Sequence, residues 1–153
     1  MEIVVYTCNT SGLIPTFNSD YTYTSNEVDN GDGTFTTTIT GESLPTQIKF
    51  SNNTNLISVD SINTSNVNSM DSMFYNCNNL TTLDVSNFDT SNVTSMLAMF
   101  QNCSTLTSLD VSNFDTSKVT IMQGVFSGCS NLTSLDLSNW DTSNVTGIKV
   151  TNI

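Results

Sequence analysis

The sequence predicts an α/β solenoid: a stack of coils, each holding a short strand and a short helix, behind a β-rich N-terminal cap. Three observations carry the prediction. One phrase recurs at a fixed interval through the second two-thirds of the chain. Each copy contains two different apolar periodicities. The first fifty residues share neither, and read as hairpins instead.

The interval is 26 residues. Leu80, Leu106 and Leu132 are spaced by it, as are Leu83, Leu109 and Leu135, and Cys77, Cys103 and Cys129. An earlier copy, LISVDSINTSNVNSMDSMFYNC, begins at Leu56 and is two residues shorter before its NTSNV. The units are 56–79, 80–105, 106–131 and a partial 132–153, within a repeat region 51–153 that follows residues 1–50. A period of this size signals an array in which each unit buries its apolar edge on its neighbours.

Within a unit, Leu80, Leu83 and Val85 follow L-x-x-L-x-V, whose last pair alternates as a strand does. Met96, Met99, Phe100 and Cys103 then fall at i, i+3, i+4 and i+7, the spacing of one face of a short helix. Met70, Met73, Phe74 and Cys77 repeat it, as do Met122, Val125, Phe126 and Cys129. Between them FDTSNV supplies side chains that bond to nearby backbone and hold a turn. The expected unit is strand, turn, short extended piece and helix, with the strands stacked as a parallel sheet at about 4.8 Å.

The phrase LxxLDxSxFDTSNVTxMxxMFxxC resembles the BspA-like leucine-rich repeats, a subgroup abundant in bacterial surface lipoproteins and also met in phage and protist genomes. It covers about 95 of the 153 residues. The first copy is shortened, the last ends in TGIKVTNI without MF or Cys, and residues 1–50 do not match. The resemblance implies a right-handed leucine-rich-repeat stack used for binding or adhesion, and it implies no catalysis.

Residues 1–50 read as β structure. MEIVVYT is rich in β-branched residues; YTYTSNEV and TFTTTIT flank DNGDG, a hairpin signal because Asn-Gly and Asp-Gly accept positive φ. GESLPTQIKF offers one more strand. An array needs its first coil covered, so this segment is expected to cap it or attach it to something. At the other end GIKVTNI alternates like a strand, and either this tail or a second protein is expected to cover the last coil.

Composition narrows the function. Charged residues are only 11% of the chain and Ser, Thr and Asn fill the gap; the net charge is −11, with three lysines and no arginine. Nucleic-acid binding needs cations to displace counterions, so nucleic acid and anionic membrane are excluded as partners. A metal cation or a basic protein surface suits the field better. The chain has no His, which removes the commonest general base and metal ligand. No segment approaches the ~20 apolar residues of a membrane span. The start, MEIVVYTCNTSGLIP, lacks the basic opening and long apolar run of a secretory signal, so a protein kept inside its cell, or released by another route, is expected.

The period places residues in columns. The repeat cysteines stack side by side, a geometry poor for disulfide torsions, and are expected to be buried thiols completing an apolar face. Asp84, Asp110 and Asp136 form one carboxylate column and Asp89, Asp115 and Asp141 another. The second is expected to accept backbone N–H bonds in its own turns; a Ca²⁺ ion shared between rows is the alternative. The first should face outward. Phe88, Phe114 and Trp140 either close the core at the turn, the preferred reading, or form an outward aromatic strip. Stacked rows supply glycosidase-like carboxylate distances everywhere and a unique pocket nowhere.

The expectation is a non-enzymatic display or attachment module with no catalytic residue, no metal ligand and no cofactor, calcium apart. Its ligand-binding face is Thr82, Asp84, Ser108, Asp110, Ser134 and Asp136, facing a protein partner or a glycan. Residues 1–50 or the C-terminal end join it to other subunits. The termini point to a virion surface component of phage, of head-decoration or fibre type, and the alternative is a bacterial cell-surface adhesin fragment that binds host protein or glycan.

Overall fold

β-Branched and aromatic residues crowd the first sixty or so positions, and there lie all the strands found among the described residues. The computed structural model describes residues 1–18 and 21–146. Its strands are β1 (Glu2–Cys8), β2 (Thr16–Phe17), β3 (Tyr23–Asp29), β4 (Phe35–Gly41), β5 (Ile48–Lys49) and β6 (Leu56–Ile62). Four form a sheet in the order β3-β4-β1-β6, and β2 pairs with β5; every pairing is antiparallel. The DNGDG turn joins β3 to β4. Gly31 and Gly33 take φ values of 78° and 87° there, and Asp29 and Asp32 accept the Gly31 and Thr34 amides at 2.8 and 2.9 Å. Strand β1 lies between β4 and β6 and buries Ile3, Val4, Tyr6 and Cys8. Strand β6 comes from the shortened first repeat, so the N-terminal segment and the repeats share one sheet.

The α/β solenoid with parallel strands and short helices is not what forms. Among the described residues there is no helix, and every strand lies within residues 2–62 in an antiparallel pairing. The L-x-x-L-x-V segments after β6 carry no strand, so the expected parallel sheet is missing; only isolated parallel bridges join Ser69 to Ser95 and Ser95 to Ile121.

The expected helix fails for a steric reason. Ala98 and Asn102 have φ of 54° and 61°; Ser72 and Asn76, and Gly124 and Gly128, do the same in the neighbouring copies. A left-handed residue every fourth position cannot belong to a right-handed helix. The segment is instead a run of tight turns: the Met99 amide donates to the Met96 carbonyl and the Cys103 amide to that of Phe100, at 3.2 and 3.1 Å. Ala98 and Asn102 occupy the third position of these turns, where type II geometry requires positive φ. Two successive four-residue turns put apolar residues at i, i+3, i+4 and i+7, just as a helix would.

Amides not used inside the turns reach the next copy. Met70, Ser72, Phe74 and Asn76 donate to the carbonyls of Ser95, Leu97, Met99 and Gln101 at 2.8–2.9 Å, each 25 residues on. Met96, Ala98, Phe100 and Asn102 repeat the pattern onto Ile121, Gln123, Val125 and Ser127. Phe50 and Asn52 donate to Met73 and Tyr75, 23 residues on, because the first copy is two residues short. Equivalent positions therefore sit one above another in layers.

The DT pair adds a second tie. Thr64, Thr90 and Thr116 are buried; each hydroxyl accepts the amide of the next layer's Asp (89, 115, 141) at 2.7–2.8 Å and donates to that residue's carbonyl at 3.1–3.2 Å. Between the ties runs the core. Phe50, Phe74, Phe100 and Phe126 stack with centroids 5.6–5.7 Å apart and planes within 5°. Burying each ring is worth roughly 2–3 kcal/mol.

Two substitutions test this architecture. In a helix, Ala to Gly costs about 1 kcal/mol; at φ 54° the Cβ is a burden. Ala98→Gly is therefore expected to hold or raise the urea midpoint, and a drop of that size would restore the helix. Thr90→Val strips the hydroxyl but keeps the shape, and should cost about 1–3 kcal/mol by leaving the Asp115 amide without its partner. Thr90→Ser should recover most of the loss, and a Val variant as stable as the parent would remove the tie from the account.

Candidate functional site

The layers are tied on two sides and open on the third. Among the described residues, no backbone hydrogen bond joins residues 81–84 to 107–110, or 107–110 to 133–136. Along this side runs a groove of about 760 Å³. It is lined by Thr82, Asp84, Ser108, Asp110, Ser134 and Asp136, the six residues that the sequence assigns to a ligand face, together with Ser58 and Asp60. Its floor is apolar: Val59, Leu83, Leu109 and Val111 reach it, although each is less than a tenth exposed. Ser58 and Asp60 were legible too, since LISVD aligns with LTTLD once the offset of 24 is used.

The alternation inside L-x-x-L-D-V produces this surface. Leu83 and Val85 point to the core and are buried, which turns Thr82 and Asp84 outward. The aspartates are held in place. Asp84, Asp110 and Asp136 accept the amides of Ser86, Ser112 and Ser138 through Oδ1 at 2.8, 3.0 and 2.9 Å. The side chains and then the amides of Ser86 and Ser112 keep Asp84 and Asp110 below the ordinary carboxylate range; for Asp136 the Ser138 amide leads. Asp60 accepts the Ser58 hydroxyl at 2.9 Å and the Thr7 hydroxyl at 3.2 Å. The groove thus presents one fixed carboxylate per layer beside one hydroxyl.

The second aspartate column behaves as its turn chemistry predicts. Asp89, Asp115 and Asp141 accept the amides of Ser91, Ser117 and Ser143 at 2.9–3.0 Å, and the serine side chains followed by these amides hold them below the usual range. That the outward column makes the same turn went unread. The signal was present, since Ser stands two residues after each aspartate in both columns. Among the described residues no group of three or more His, Cys, Asp or Glu lies close enough to hold a metal ion.

Other columns are internal. Phe88 and Phe114 are buried and stack at 6.2 Å, with half-buried Trp140 continuing at 6.1 Å. This is the inward reading of that column. The four cysteines are buried free thiols. Cys77, Cys103 and Cys129 donate to the carbonyls of Phe50, Phe74 and Phe100 at 3.0–3.2 Å. Burial pushes the Cys77 thiol up to about 12 and raises those of Cys103 and Cys129 as well, so none is a ready nucleophile. A glycosidase acid needs a carboxyl with a raised pKa, and the aspartates of both columns shift the other way. The arrangement offers fixed negative charge and hydrogen-bond acceptors on an apolar floor.

Over residues 44–151 the chain matches the family described as a Mycoplasma protein of unknown function, DUF285. No curated protein and no solved structure matches it. The virion expectation must be withdrawn: neither the fold nor the family match supports a phage component. It rested in part on an uncovered C-terminal end, and residues 147–153, with the strand expected in GIKVTNI, lie outside the described residues. No helix among the described residues is long and apolar enough to cross a membrane.

The carboxylate columns link the fold to acid. Each of the six aspartates has a folded-state pKa below its ordinary value. Their contribution is present above the unfolded value and lost as pH falls through the folded one. Melting temperature is expected to hold down to about pH 5 and to fall below about pH 4. Asp115→Asn keeps the acceptor for the Ser117 amide but cannot titrate, so its melting curve should fall less steeply with acid. An unchanged slope would show that Asp115 takes no part.

Proposed function

The chain belongs to the DUF285 family, and on that premise we propose that it is a non-enzymatic attachment module whose groove binds a protein or glycan on another surface. The observation that carries the reading is the groove itself. Three successive copies deliver the same hydroxyl and carboxylate to one open side, while their neighbours tie the rest of each layer shut. Repeated rows of one chemistry form an extended contact surface rather than a unique reaction centre. The repeat phrase supports a finer placement: LDVSNFDTSNVTSM with its MF and Cys is the pattern of BspA-like repeats, whose setting is the bacterial cell surface. A cell-surface adhesin role follows from that likeness.

Replacing aspartate by asparagine tests it cleanly, because Asn retains the oxygen that accepts the serine amide. The protein should be screened against a glycan array and a panel of basic polypeptides, beside the variant carrying Asp84→Asn, Asp110→Asn and Asp136→Asn. The expected result is a hit that weakens about tenfold or more in a variant that still melts cooperatively, and that weakens with salt. A hit that survives all three changes would move the ligand to residues 1–50.

A further inference from the structure

We propose that two copies of the chain pair through strand β3, edge to edge and antiparallel, in a register centred on Asn26. Strand β3 ends the four-stranded sheet, and among the described residues no strand lies beyond it. All seven of its residues are exposed. The ladder identifies which of its backbone groups are free. The Asn30 amide donates to the Thr34 carbonyl directly opposite, and across β4 the Gly41 amide donates to Met1, both at 3.0 Å. Bonded and non-bonded pairs alternate along antiparallel strands. Thr24, Asn26 and Val28 therefore bond to Thr40, Thr38 and Thr36, and the backbone groups of Tyr23, Ser25, Glu27 and Asp29 point away from the sheet.

Edges of this kind are protected in most proteins by Pro, Lys, a bulge or a free charge. Strand β3 has no Pro or Lys, and its register with β4 runs without a shift, unlike both pairings of β1. Its two carboxylates are drawn into their own protomer: Glu27 Oε2 accepts the Gly12 amide at 2.7 Å and Asp29 Oδ1 the Gly31 amide at 2.8 Å. The segment YTSNEVD also complements itself. With Asn26 on the two-fold axis, Tyr23 faces Asp29 and Ser25 faces Glu27, so all the free backbone groups meet and no carboxylate opposes another. A shift of two residues either way loses one of these pairs, and one of the two shifts sets Glu27 against Glu27. On the outer face Val28, 53% exposed, meets Thr24 of the second copy. The net charge of −11 on each copy opposes association, so the dimer strengthens as salt screens it. The groove borders β6 at the opposite edge of the sheet, and pairing through β3 leaves it open in both copies.

Sedimentation velocity of the full chain should show monomer and dimer in exchange, with the dimer fraction rising between about 0.05 and 0.5 M salt. Ser25→Pro removes an amide that the protomer does not use, so the variant should still melt cooperatively while its dimer weakens about tenfold or more. Cysteine substitution reads the register. Under mild oxidation Asn26→Cys should give a disulfide-linked dimer on a non-reducing gel, because facing residues of a non-bonded pair lie about 4.5 Å apart at Cα. Thr24→Cys should not, since its counterpart lies four residues along, about 13 Å away. The four native cysteines are buried, which keeps them out of this reaction. A chain that stays monomeric at every salt concentration would overturn the inference. So would equal cross-linking at the two positions, or a dimer untouched by Ser25→Pro.

Discussion

Every part of the repeat region depends on where its backbone amides go. A chain of tight turns leaves about half its N–H groups without a local partner, and a buried amide without a partner costs more than a turn gains. Here alternate amides donate to carbonyls one layer on, from Met70 onto Ser95 through Asn102 onto Ser127. That single requirement explains the invariance of the 26-residue period. One inserted residue would shift each donor off its acceptor and turn the buried Met, Phe and Cys columns outward. The one irregular copy shows the rule from the other side. Its two-residue shortening falls between Asp60 and Thr64, within the stretch that becomes β6, and the sheet rather than the layer below supplies the pairing there.

The same requirement explains the unusual composition. Ser, Thr and Asn weaken most regular elements because they compete for the backbone. In this chain competition is the construction method. The buried Thr hydroxyls bridge adjacent layers through both an amide and a carbonyl, and Asn113 Nδ2 reaches the Val85 and Ser86 carbonyls at 3.1 and 3.0 Å. The thiols of Cys77, Cys103 and Cys129 add a second donor to the carbonyls of Phe50, Phe74 and Phe100, which already accept a turn amide. No buried side-chain oxygen or nitrogen among the described residues is left without a partner. Polar residues thus do work that strands and helices do elsewhere.

What the sequence revealed was position; what it hid was conformation. The period placed Leu80, Met96, Phe100 and Cys103 inside, and all are buried. It placed Asp84 and Asp110 on one outward row, and DNGDG marked the hairpin between β3 and β4. The helix was misread because i, i+3, i+4, i+7 is satisfied equally by a helix face and by two consecutive turns. The arbitrating signal was the third residue of each turn. Asn52, Asn76, Asn102 and Gly128 are the types that tolerate positive φ, and a helix would hardly place them in one column. Ala98 gives no such warning. The parallel sheet was misread because alternation reports which side chains are buried and says nothing about whether neighbouring backbones pair.

That missing pairing is where structure and function meet. Interlayer backbone hydrogen bonds tie the layers on the side of Phe74 and Thr bridges tie them beside Asp89, but the L-x-x-L-D-V side has neither among the described residues. A parallel ladder on this side would hold the outward carboxylates of Asp84, Asp110 and Asp136 directly opposite one another, and like charges directly opposite oppose strand pairing. The serine amides stabilise each carboxylate singly and do nothing for that mutual repulsion. Charge along the carboxylate row thus works against pairing on this side, over a core that the other two sides keep closed.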